Sequence, residues 1–84
     1  MGGNVGVSRS VQQLMDQQGV SLSYDGKDPD DWMDYEWWTL RSRSGMDIGR
    51  IAKLGGGRWL AIDDDDHPGL PSMDVAVRTI LGTQ

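Results

Sequence analysis

The sequence predicts an α+β fold: a small single domain with a short N-terminal helix, a three- to four-stranded antiparallel sheet, and a C-terminal helix packed on one face. Three observations predict it. β-patterned runs succeed one another between Tyr35 and Ile62, divided by glycine-bearing turns. Met73, Ala76, Val77, Ile80 and Leu81 recur at the i, i+3, i+4, i+7, i+8 spacing of an amphipathic helix. Near the start, Val11, Leu14 and Met15 repeat at helical spacing behind a capping signal. Residues 1–7 read as a flexible N-terminus and 8–84 as the single α+β domain.

The first helix is expected to begin at Ser10, with Gln13 three residues later in the capping-box position. It should end at Gly19, where a left-handed residue suits the stop and Val20 can close back on Met15. Val20 to Tyr24 alternates apolar and polar residues, as a half-buried strand does, and Asp25-Gly26 is expected to break it. Pro29 extends the break into an acidic loop, because proline cannot donate to a ladder and restricts Asp28.

The strand signal is strongest over Tyr35–Arg43. Trp38 and Leu40 would fall on one face, with Trp37, Thr39, Arg41 and Arg43 on the other. Ser44-Gly45 turns the chain into Met46–Leu54. There Ile48 and Ile51 sit three apart, and a bulge near Gly49 would bring both to one core. Gly55-Gly56-Gly57 reads as a hairpin loop. Beyond it, Arg58–Ile62 should point Trp59 and Ala61 one way and Leu60 and Ile62 the other. Asp63 to Pro71 reads as an irregular connection, after which Ser72 caps the last helix and Asp74 suits its dipole.

The chain has 84 residues, no cysteine, no phenylalanine and a formal charge of −5. A chain of this size buries only roughly 60–65 % of its unfolded surface and needs good packing or a partner. Cysteine chemistry is excluded by composition. One histidine and no G-x-S-x-G elbow leave nucleophilic triads little to work with, and the glycines form no phosphate-binding fingerprint. The chain therefore reads as noncatalytic and without cofactor. Asp63 to Asp66 cannot readily converge on a hard cation, because neighbouring side chains of extended backbone alternate in direction. The segment from Asp25 fails as an EF-hand, since Lys27 and Pro29 take ligand positions and Asp30 replaces the loop glycine. No metal site is expected.

No apolar run is long enough to span a membrane, and Met1 to Gly6 has neither the charge nor the apolar run of a secretory signal. Together with the absent cysteine this sets a cytoplasmic expectation. Two interaction surfaces remain. Asp28, Asp30, Asp31 and Asp34 surround Trp32, and Asp64 and Asp65 form a second acidic site; carboxylates steer a basic partner and a tryptophan anchors it. That combination leads to a protein-binding domain acting on a larger protein or nucleoprotein complex. Its size and charge are those of small phage or mobile-element inhibitors and accessory factors. The alternative is nucleic-acid binding through Trp37, Arg41, Arg43, Arg50 and Lys53, by base stacking and phosphate contact. The bland account of the same arginines is pairing with neighbouring aspartates. An open sheet edge would also allow a homodimer.

Overall fold

The computed structural model describes residues 7–27 and 35–82. Helix α1 (Arg9–Gln18) leads into five strands, β1 (Ser21–Lys27), β2 (Glu36–Arg41), β3 (Asp47–Lys53), β4 (Trp59–Ile62) and β5 (Asp66–Leu70), and helix α2 (Met73–Leu81) closes the chain. The strands form one antiparallel sheet in the order β1-β2-β3-β4-β5. The α+β class and the two helices agree with the sequence reading; the sheet has five strands rather than three or four.

The additional strand is β5, built from residues that read as a connection. Pro68 misleads there because it lies on an edge strand, where a missing N–H breaks no ladder. A second departure lengthens β1. Its pairing with β2 shifts register between Tyr24 and Gly26, so Asp25 bulges out and the strand continues to Lys27 instead of ending.

Helix α1 starts two residues earlier than its capping box suggests. Ser8 is the N-cap, its hydroxyl accepting the Val11 N–H at 3.3 Å. Ser8 in turn donates its own N–H to Asp74 Oδ1 at 2.8 Å, which ties the starts of the two helices together. Ser10 instead places its hydroxyl against Ser8 Oγ and Arg78. At the other end Gly19 has φ 70°, and the Val20 N–H closes on the Met15 carbonyl at 2.8 Å. A Cβ at Gly19 would come within 2.6 Å of Arg43 Nε, so the guanidinium lies against the helix C-terminus. Arg43 thus brings to that end the cation that the last turn of α1 lacks.

Both helices cover one face of the sheet. Helix α2 packs on β3, β4 and β5 and meets α1. Val11 and Met15 of α1 and Ala76 and Val77 of α2 share a buried cluster with Trp38, Leu40, Ile51 and Ala61. Ile48 is the extra residue of a bulge where β2 and β3 shift register, so it packs against the same cluster as Ile51. Gly49 is required by proximity: a Cβ there would lie 2.7 Å from Ile80 Cγ2 and 3.1 Å from the Ile62 carbonyl. Among the described residues no helix is long and apolar enough to cross a membrane.

Candidate functional site

The face of the sheet opposite the helices is set by strand alternation and register. One row across the strands runs Gly26, Trp37, Ala52, Leu60. The next runs Ser23, Thr39, Arg50, Ile62, Asp66. Ala52 is fully buried but lies outside the helix-side cluster, with Trp37 and Leu60 on either side of it in its row.

Charge on this face is tied down locally. The Asp25 bulge turns its carboxylate over β2, where it accepts the Thr39 hydroxyl and lies 3.8 Å from Arg50 Nη2 on β3. The Arg50 guanidinium carbon also sits 4.4 Å from the Trp37 ring centroid, a cation–π arrangement. Arg41 donates to Asp47 Oδ1 at 3.0 Å. The structure therefore brings Trp37 and Arg50 together and places Arg41 at the other end of β2 on the same face, with both arginines beside aspartates. It separates Arg43, held against Gly19, from that group. Lys53 is separated too: its register partner is Glu36, on the parity of the helix-covered face.

The end of this face carries an acidic rim. Residues 63–65 form a tight turn in which the Asp63 N–H reaches the Asp65 carbonyl at 3.1 Å and the Asp65 N–H reaches Asp63 Oδ1 at 3.0 Å. His67 Nε2 approaches the same Asp63 oxygen at 3.2 Å. The Asp65 N–H is the main reason that Asp63 is held below the usual carboxylate range; partial burial opposes it and His67 assists it. Asp64 and Asp65 are exposed, and their carboxylates have no partner among the described residues.

Between this turn and the start of β3 lies an open groove of about 320 Å³, lined by Asp47, Ile48, Gly49, Arg50, Ile62, Asp63 and Asp64. Ile48 and Ile62 provide apolar wall, while Asp47, Asp63 and Asp64 provide carboxylates. Such a groove suits the aliphatic stem and cationic head of a lysine or arginine. Asp28, Asp30, Asp31, Trp32 and Asp34 lie outside the described residues. Sequence reasoning singled out Asp64 and Asp65 but not Asp47, Ile48 or Asp63, whose convergence depends on the β3–β4 register. Among the described residues no group of three or more histidine, aspartate or glutamate side chains is arranged to hold a metal ion. No family model, curated protein or solved structure matches the chain.

Proposed function

We propose that this chain is a noncatalytic protein-binding domain that engages a basic segment of a larger protein or nucleoprotein complex, as a small inhibitor or accessory factor of the phage or mobile-element type would. The observation that carries this reading is the open groove walled by Ile48 and Ile62 and rimmed by Asp47, Asp63 and Asp64, with Asp65 beside it. A lysine or arginine of the partner lays its stem on Ile48 and Ile62 and its charge among the carboxylates. Trp37 and Leu60 extend the contact along the helix-free face, and tryptophan is among the residues that dominate binding energy. The net charge of −5 steers a basic partner toward the rim. Zero-length carbodiimide cross-linking of the captured complex tests it: a partner lysine should be joined to Asp64 or Asp65. A partner cross-linked solely through carboxylates other than Asp47, Asp63, Asp64 and Asp65 would overturn the reading.

A second reading, nucleic-acid binding, rests on Trp37 with Arg50 over its ring, a pairing that can stack a base. It requires Arg41 and Arg50 to exchange Asp47 and Asp25 for phosphates. A mobility shift at low salt that is lost in Arg50→Glu would support it, and no shift with single-stranded DNA or RNA would end it.

A further inference from the structure

The acidic groove borders on a titratable group that partner binding, as proposed, does not use. His67, the chain's single histidine, lies on β5 and directs Nε2 to Asp63 Oδ1 at 3.2 Å. Asp63 lines the groove and also fixes the turn, since the same oxygen accepts the Asp65 N–H at 3.0 Å. An ionised carboxylate can only accept, so the neutral ring carries its proton on Nε2 and leaves Nδ1 bare. A second proton therefore goes to Nδ1 and changes the ring's charge without breaking its contact with Asp63. The His67 side chain is 36 % exposed, so water can deliver that proton directly.

The fixed charges around the ring are placed as follows. Asp63, Asp64 and Asp65 stand in the adjoining turn and Asp66 on β5 itself. On β4 the register partner of His67 is the uncharged Ala61, while Arg58 reaches the Gly69 carbonyl toward the far end of β5. Helix α2 also packs on β5, but its charged residues, Asp74 and Arg78, meet Ser8 and Ser10 near the start of α1. Arg50, in the groove wall on β3, lies beside Asp25 and over Trp37. Carboxylates and guanidinium groups ordinarily keep their charge between about pH 8 and pH 5.5, whereas an imidazole gains one there.

Resting on the basic-partner reading of this groove, we propose that protonation of His67 weakens partner binding, so that the groove holds a basic segment more tightly above neutral pH than in mild acid. The imidazolium and the partner's cation share one carboxylate, that of Asp63. Two cations on one carboxylate stand about 5 Å apart, and at that distance their repulsion lowers affinity about threefold or more even in water. Asp47 and Asp64 have no contact with the ring and keep the remaining attraction.

The test uses the ¹⁵N-labelled full chain at low ionic strength and the peptide N-acetyl-Arg-Arg-Arg-amide, whose charge does not change over this range. At about pH 8 the peptide should shift the Ile62, Asp63 and Asp64 amides saturably, and at about pH 5.5 it should bind about threefold more weakly. His67→Gln keeps an N–H for Asp63 but gains no charge, so it should bind equally at both pH values. Coupling is reciprocal, so in the unchanged protein saturating peptide should move the titration midpoint of the His67 ring toward acid. The expected shift is about half a pH unit, the logarithm of that threefold factor. A peptide that binds the groove equally at both pH values, or leaves the His67 titration unmoved, would overturn the inference while the groove reading stands. An undiminished pH effect in His67→Gln would also overturn it, by assigning the effect to another group. Absence of groove shifts at about pH 8 would overturn both the inference and the reading beneath it.

Discussion

The two faces of the sheet come from the same strands, residue by residue in alternation, and they are used in opposite ways. On the helix-covered face, the row Tyr24, Trp38, Ile51, Ala61, His67 places three fully or nearly fully buried apolar residues at its centre. One position along each strand, the row Ser23, Thr39, Arg50, Ile62, Asp66 is polar except for Ile62, with Asp25 linking Thr39 to Arg50. The covered face gains stability by excluding water. The uncovered face organises charge, so that its arginines are balanced and its free carboxylates stand at one end. The difference teaches that apolar burial and the ordering of charge are divided here largely by strand parity, and the proposed recognition would draw on the second.

The largest disturbance should come from the covered face. Leu40 is fully buried, and Leu40→Ala should cost about 3 kcal/mol by loss of transfer energy and formation of a cavity, read as a fall in the denaturant midpoint. A fall of less than about 1 kcal/mol would mean that this site collapses freely, against a well-packed core. Gly49→Ala should follow at about 1–3 kcal/mol, because the added methyl meets Ile80 and the Ile62 carbonyl. Shortening Ile80 to Val in the same chain should recover part of that loss, and strict additivity of the two changes would deny the contact.

These two positions also mark what could be read from the sequence. The period of α2, the caps at Ser72 and Gly19, and the parity of Trp38, Leu40, Trp59 and Ala61 are local signals, and each matches the structure. Gly49 is legible in the sequence as the neighbour of a bulge, but its contact with Ile80 is not, since the two residues meet only through tertiary packing. Strand β5 was hidden because Pro68 and Gly69 signal a turn regardless of whether an edge is available to tolerate them. At the candidate site, Asp64 and Asp65 stood out by composition. The convergence of Asp64 with Asp47 and Ile48 follows from register, which no local pattern supplies. Lys53 was grouped with the arginines by charge alone, and strand parity puts it on the other face.

Smaller effects should mark the uncovered face. Asp25→Ala removes the acceptor of the Thr39 hydroxyl, whose residue is 4 % exposed, and should cost about 1–2 kcal/mol in the same measurement. Asp25→Asn should retain part of that stability, while an unchanged midpoint in both variants would show that the lateral network contributes nothing. For Asp63 the folded carboxyl is held below its unfolded value of about 3.9, so its contribution is present above that value and lost as pH falls through the folded one. Asp63→Asn should therefore flatten the acid limb of the stability profile below about pH 4, and an unchanged limb would remove Asp63 from the account. Arg41→Ala should be the least effect, within about 0.5 kcal/mol, because its pair with Asp47 is exposed.

The separation of stability from recognition is tested most directly by measuring both properties on one variant, Asp64→Asn combined with Asp65→Asn. Its denaturant midpoint should equal that of the unchanged chain, while capture of the basic partner from the native host should fall about tenfold or more, as loss of charge-assisted contacts does. Undiminished capture by this variant at an unchanged midpoint would contradict the account.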